Sequence, residues 1–268
     1  MPALELLHSP HAPDLSPVTI YYREFGHGKP LVFLHGGWGY GVYPFDQQIE
    51  AFKNEFRILI PDRSGYGHST RVTGELQLDF HRRAAWETIA FLDGLGIERA
   101  ALWGHSDGAV IAAMIGMEAP ERCECLILEA FHYLKRKPGS RSFFERFAAR
   151  PEDLGEETKR LLAEDHGEGQ WPAVLRRNCA TWFRLADQAH RPEEDLYDDR
   201  LGELAVPTLF LHGGLDPRTE PGEMELVRSA LPQATMKFVA NGKHSPHNEE
   251  AAFAECSAIA REFLRSLP

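Results

Sequence analysis

The chain has 268 residues, of which 43% are hydrophobic and 26% charged, and its formal net charge is -11. This composition is typical of a folded globular protein and excludes a disordered chain or a disulfide scaffold, while the acidic balance argues against nucleic acid as a partner. Because the chain has neither a basic leader nor an apolar run of about 18 residues, we expect a cytoplasmic protein that does not enter a membrane.

Short apolar runs that end in turn residues alternate with longer stretches of helical spacing. This alternation predicts an α/β fold, with helices on both faces of a mostly parallel sheet. The predicted strands are VTIYYREF, LVFLH, FRILIPD, AALWG, CLILEAF, TLFLHG and MKFVA. The predicted helices are PFDQQIEAFK, DFHRRAAWETIAFLDGL, GAVIAAMIGME, GEMELVRSAL and PHNEEAAFAECSAIAREFLRSL.

The alternation stops between Tyr133 and Asp199, where Pro, Gly and charged residues interrupt helix-like pieces. We therefore expect an α/β core built from residues 1–130 and 200–268, with residues 131–199 inserted as a helical cap.

The loop HGGWGYG, residues 35–41, follows the second predicted strand. Its glycines allow the backbone to turn an N–H group inward, so the loop is either a plain turn or a source of oxyanion donors. We expect the N–H of Gly37 to be such a donor, with Trp38 as the second choice. The next turn, residues 62–69, is interpreted as structural.

The segment GHSDG, residues 104–108, lies between the strand AALW and the helix GAVIAAMIGME. A G-x-S-x-G pattern between a strand and a helix is typical of a nucleophile elbow, in which the serine side chain points out of the sheet. Ser106 is therefore the candidate nucleophile, and the N–H of Asp107 the second oxyanion donor. The alternative is that Ser106 only caps the helix.

A serine nucleophile needs a base and an orienting carboxylate, and two later loops offer them. Asp216 follows the strand TLFLHG, and His244 follows MKFVA. Glu129, at the end of CLILE, is the alternative acid. His247 is disfavoured as the base, because Ser245-Pro246 resembles a helix start and a helix N-terminus disfavours imidazolium.

The remaining histidines in the predicted loops and strands lack such a context and are interpreted as hydrogen-bonded structural residues. They are His35, His68, His105, His132 and His212. The four cysteines form no C-x-x-C pair, so we expect buried free thiols, with no metal site. They are Cys123, Cys125, Cys179 and Cys256.

Five motifs occur in order, each after a predicted strand: HGGWG, DRSGYGHS, GHSDG, HGGLD and GKHSPHNE. Together they resemble the α/β-hydrolase superfamily, and GHSDG with LEAFHY resembles its valacyclovir-hydrolase-like serine hydrolases. The resemblance implies an eight-stranded, mostly parallel sheet, a helical cap between the sixth and seventh strands, and a triad of Ser106, Asp216 and His244. Epoxide hydrolases and haloalkane dehalogenases have Asp in place of Ser106, so these activities are disfavoured.

The expected substrate pocket lies between sheet and cap and contains Trp38, Asp107, Glu129, Phe131 and Trp182. Further cap aromatics could line it or form the cap core, namely Phe143, Phe144, Phe147, Trp171 and Phe183. We expect a small-molecule ester as substrate, no cofactor, and a monomer or homodimer. The Asp107 carboxylate either binds a substrate ammonium, which favours α-amino esters or amides, or braces the elbow.

Three other functions stay open. A ligand-binding receptor with a slow or vestigial triad has the same residues, and a cofactor-free perhydrolase or a carbon–carbon bond hydrolase uses the same triad.

Overall fold

An eight-stranded sheet forms the centre of the protein in a computed structural model, which describes residues 1–267. Its strand order is β1-β2-β4-β3-β5-β6-β7-β8, and every pairing from β4 through β3 to β8 is parallel, whereas β1 with β2 and β2 with β4 are antiparallel. The mostly parallel sheet is thus confirmed. The strands are β1 (Ala3–Leu6), β2 (Val18–Gly26), β3 (Lys29–Leu34), β4 (Phe56–Pro61), β5 (Ala100–His105), β6 (Cys123–Glu129), β7 (Thr208–Gly213) and β8 (Thr235–Val239). The short edge strand β1 was not predicted, because an alternation over only four residues is too brief a signal.

Helices cover both faces of the sheet, as predicted. They are α1 (Asp46–Phe52), α2 (Phe80–Gly94), α3 (Asp107–Glu118), α4 (Pro138–Ala149), α5 (Glu156–His166), α6 (Trp171–Gln188), α7 (Glu223–Ala230) and α8 (Phe253–Ser266). None of these helices in residues 1–267 is long and apolar enough to cross a bilayer.

The predicted start of the last helix at Pro246 is wrong, because α8 begins at Phe253. Between them the chain forms turns, in which the Glu249 carboxylate accepts hydrogen bonds from the backbone N–H groups of Lys243 and Ser245. The Glu249 N–H also donates to the Ser245 carbonyl, which closes a single turn around His247. His247 therefore lies in an isolated turn before α8 and not in its first turn.

The alternation of side chains along β3 explains how both faces are buried. Leu31 and Phe33 pack into a cluster with residues of α1 and α8, whereas Val32 and Leu34 pack with residues of α2 and α3. Successive side chains of a strand point to opposite faces, so a continuous apolar run is expected where both faces are covered. This layering buries β5 and α3 at the centre of the molecule.

The segment between β6 and β7 contains α4, α5 and α6, and residues 131–199 are here called the cap. The cap contacts the loop after β3: Asp165 accepts a hydrogen bond from the N–H of Gly41 (3.0 Å), and His166 Nε2 lies 2.9 Å from the Trp38 carbonyl. Lys137 forms a buried ion pair with Glu223 of α7. These contacts fix the cap over the loops that follow the parallel strands.

All four cysteines are buried free thiols, as predicted.

Candidate active site

Ser106 lies at a sharp turn between β5 and α3, with φ 54° and ψ -120°. A Cβ atom on Gly104 would lie 2.1 Å from the Gly108 carbonyl oxygen, and one on Gly108 would lie 2.0 Å from that of Leu34. Only glycine fits these two positions. The strand and the helix can therefore approach closely enough to hold the serine in a left-handed conformation that L-residues rarely adopt.

The structure brings the three predicted residues together. His244 Nε2 lies 3.1 Å from Ser106 Oγ, and His244 Nδ1 lies 3.0 Å from each carboxylate oxygen of Asp216. Since a carboxylate only accepts, Nδ1 carries the proton and Nε2 is free to accept the serine proton. This is the arrangement that a base requires to activate a hydroxyl.

The environment of Asp216 keeps its carboxylate ionised. Burial alone raises its pKa, but the charge and hydrogen bond of His244, together with His212 and the backbone N–H of Arg218, hold the pKa below its usual range. The ionised form is the one that orients His244 and stabilises its imidazolium.

His105, interpreted from the sequence as structural, holds the loop of His244. Its Nε2 lies 2.9 Å from the His244 carbonyl oxygen and 3.0 Å from Ser245 Oγ. Burial lowers the pKa of His105 to about 3, so it stays neutral beside His244.

His132 was also interpreted as structural, yet its Nε2 lies 3.2 Å from Ser106 Oγ. Its ring stacks on that of His244 at 5.6 Å between centroids. Burial lowers its pKa well below the usual value, so it is a neutral second imidazole beside Ser106. A signal was present in the sequence: His132 lies three residues after the end of β6, where parallel sheets gather their site residues.

The backbone N–H groups of Gly37, Trp38 and Asp107 donate no hydrogen bond within residues 1–267, so they are available to an oxyanion. Arg63, which is 3% exposed, sets the orientation of this loop by donating to the carbonyl oxygens of His35 and Gly36. Since the C=O and N–H of a trans peptide point in opposite directions, Arg63 turns the Gly37 N–H away from itself. The turn at residues 62–69 therefore contributes Arg63 to the site, beyond its expected structural role.

The Asp107 carboxylate is engaged with the cap. It accepts hydrogen bonds from Asn178 Nδ2 (2.8 Å) and Trp182 Nε1 (3.0 Å), and His81 Nε2 lies 3.3 Å away. Burial raises its pKa, but the adjacent His81, the charge of Arg63 and the Asn178 hydrogen bond lower the pKa overall. A Cβ on Gly37 would lie 2.5 Å from this carboxylate and from the Asn178 amide. Glycine therefore fits best at this position, where the loop after β3 meets the start of α3 and the cap.

Glu129, the alternative acid, contacts other residues. Its Oε1 lies 2.7 Å from His247 Nδ1, and its Oε2 accepts a hydrogen bond from Trp103 Nε1 (2.8 Å). Burial raises the pKa of Glu129, but the charge and hydrogen bond of His247 lower it overall. The Glu129–His247 pair is completely buried beneath the site, and Glu129 forms no hydrogen bond with His244 among the described residues.

A narrow cavity lies over Ser106, with an empty volume of about 420 Å³ including its open mouth. Trp38, Asp107 and Trp182 line it as expected, and so do Phe143 and Phe144 of the cap. The expectation that Glu129 and Phe131 line it is wrong. Phe131 packs between Tyr197 and Phe210 because the chain turns inward after β6, with Ala130 at φ 50°. The other lining residues are Gly36, Gly37, Tyr43, His105, Ser106, His132, Asn178, Arg218 and His244.

Comparisons with known proteins agree with the fold. A family model described as alpha/beta hydrolase fold matches residues 29–182. The AB hydrolase superfamily protein YisY of Bacillus subtilis is 29% identical over 250 residues, covering 87% of this chain and 91% of that protein. Serine hydrolase BPHL of Mus musculus is 22% identical over 251 residues, covering 92% and 84%. A thermophilic esterase from Thermogutta terrifontis superposes with a TM-score of 0.73 over 100% of this chain and 99% of that protein, at 21% identity, which bears on the fold alone.

Proposed function

The chain belongs to the alpha/beta hydrolase fold family, and from that premise we propose that it is a serine hydrolase that cleaves carboxylic esters of small molecules. One observation carries the proposal: the hydrogen-bonded series from Ser106 Oγ through His244 to the buried Asp216. A ligand-binding receptor has no need for a base so placed. The mouse relative is named a serine hydrolase, which supports the proposal.

The reaction follows from these contacts. Ser106 Oγ attacks the ester carbonyl carbon while its proton passes to His244 Nε2, and the carbonyl oxygen receives hydrogen bonds from the N–H groups of Gly37 and Asp107. The alcohol then leaves with the proton from His244, and an acyl-enzyme remains. Water attacks this ester with His244 again as base, which releases the acid and restores Ser106.

The hydrogen-bonding of Asp107 bears on the choice of substrate. Because its carboxylate already accepts from Asn178 and Trp182, we assign it the bracing role and favour esters without an α-amino group. A substrate ammonium would have to share these oxygens with the buried donors of the cap, which lowers the gain from the contact.

The test is labelling by a fluorophosphonate probe together with turnover of a 4-nitrophenyl ester panel. We expect Ser106→Ala to lose labelling and about 10⁴-fold or more in kcat, as when a triad nucleophile is removed. Ser229→Ala, on the exposed face of α7, is the matched control and should behave as wild type. Retained turnover in Ser106→Ala would refute the mechanism, and labelling without ester turnover would favour the carbon–carbon bond hydrolase or receptor alternatives.

A further inference from the structure

The cavity over Ser106 contains one arginine, Arg218, on the loop after β7 and two residues beyond Asp216. Its guanidinium carbon lies 3.2 Å from the ring centroid of Phe143, which also lines the cavity. A planar cation stacked on an aromatic ring keeps its N–H edge free for a further partner. The chain thus presents a charged group to whatever occupies the cavity.

Within residues 1–267 the side chain of Arg218 donates no hydrogen bond and forms no ion pair, although it is only partly exposed. Three carboxylates lie on the same segment, and each faces another group. The partners are His244 for Asp216, the Gly139 N–H for Glu220, and Lys137 for Glu223.

An arginine so placed is costly without an anion. Burial lowers the pKa of Arg218, although the nearby Tyr43 and Asp216 oppose this effect, and a guanidinium stays charged in proteins. A partly desolvated cation gains most from an anion that can form charge-assisted, bidentate hydrogen bonds, and a carboxylate has that geometry.

The other formally charged lining residue is Asp107, whose oxygens already accept hydrogen bonds from the cap. Among residues 1–267, the charged lining residue without a hydrogen-bond or ion-pair partner is therefore the cation Arg218. We propose that the substrate ester carries a carboxylate and that Arg218 binds it, holding the ester group over Ser106. The inference rests on the proposed function, since it names the substrate class of the same site.

The first test compares monomethyl esters of C4–C8 aliphatic diacids with the corresponding dimethyl esters. We expect wild type to prefer a monomethyl ester in kcat/KM, and Arg218→Gln to lose about 10- to 100-fold on it, as expected for one charged hydrogen-bonding contact, with the dimethyl ester nearly unchanged. Arg218→Lys should recover part of the loss. Arg150→Gln removes an exposed, ion-paired arginine of the cap and should match wild type.

The second test does not need turnover. Calorimetric titration of succinate, glutarate, adipate, pimelate and suberate, each against its diamide, measures carboxylate binding in wild type, Ser106→Ala and Arg218→Gln. We expect at least one diacid to bind wild type and Ser106→Ala alike, and Arg218→Gln at least tenfold more weakly.

If no diacid binds better than its diamide, or if Arg218→Gln binds as wild type does, the inference is overturned whether or not esters are hydrolysed. If diacids bind through Arg218 but the fluorophosphonate probe does not label Ser106, the carboxylate site at Arg218 stands, whereas the proposed esterase fails and with it the ester named as substrate.

Discussion

Nε2 of His132 lies 3.2 Å from the Oγ atom of Ser106. The serine proton points to His244, whose Nδ1 faces Asp216, so His132 must donate its own N–H to the oxygen. Such a donor stabilises the negative charge that returns to Oγ when the acyl-enzyme breaks down. It matters less in acylation, because the free hydroxyl already accepts the same bond.

We therefore expect His132→Phe to slow deacylation by about tenfold, which corresponds to one hydrogen bond, and to slow acylation less. Stopped-flow measurement with a 4-nitrophenyl ester should show a burst of nitrophenolate followed by slower turnover. His132→Gln, which can place an amide N–H near the same point, should recover the steady-state rate. Equal slowing of both phases would show that His132 only fills space.

Substitution of each carboxylate by its amide distinguishes Asp216 from Glu129 as the acid of the triad. Asp216→Asn should lower kcat by about 10⁴-fold, because His244 then adopts the wrong tautomer. Glu129→Gln should change kcat less than about tenfold, because Glu129 bonds to His247 and Trp103. Steady-state kinetics on one ester decides between them, with the folded fraction checked by circular dichroism. The reverse order of losses would reassign the acid to Glu129.

Arg63 orients the loop of residues 35–41 by donating to two of its carbonyl oxygens, and a lysine ammonium cannot reproduce this planar pair of hydrogen bonds. Arg63→Lys should lower kcat by about 10- to 100-fold and leave KM nearly unchanged. This loss is smaller than that for complete removal of an oxyanion donor, because the Gly37 N–H is misoriented and not deleted. A change confined to KM, or to the melting temperature, would contradict this positioning role.

The bracing role of Asp107 predicts no selectivity for an amine. Asp107→Asn should lower kcat/KM by similar factors, within about threefold of each other, for phenylalanine benzyl ester and for benzyl 3-phenylpropanoate. The comparison is made near pH 6.5, where an α-amine with a pKa of roughly 7 to 8 is mostly protonated. A loss confined to the amino ester would restore the ammonium-binding hypothesis.

Stability should depend on pH through His105. Burial lowers its pKa from 6.5 to about 3. The stability that neutral His105 contributes to the fold is therefore fully present above pH 6.5 and is lost as the pH falls toward 3. In that window the unfolded chain binds one more proton at this residue, which lowers the free energy of unfolding by about 1.4 kcal/mol per pH unit. His105→Gln should show a shallower pH dependence by that amount in urea denaturation. Identical slopes would contradict it.

Local sequence patterns were sufficient for the sheet and for three positions at its edge. Apolar runs revealed seven strands, and the five central ones, β3 to β7, have a continuous apolar signature because both of their faces are buried. The edge strand β1, with four residues, is too short to leave such a signature. Ser106, Asp216 and His244 could be found because each follows a strand, and the carboxyl ends of parallel strands share one edge.

The tertiary structure alone decided which side chains face the nucleophile. Glu129 ends β6 and His132 follows it three residues later, yet the chain turns at Ala130, with its positive φ, and Glu129 contacts His247 whereas His132 contacts Ser106. The partners of Asp107 come from α6, and Arg218 lies against Phe143 of α4. These contacts join residues distant in the chain, so no periodicity or spacing encodes them, and only the packing of the cap onto the sheet brings them together.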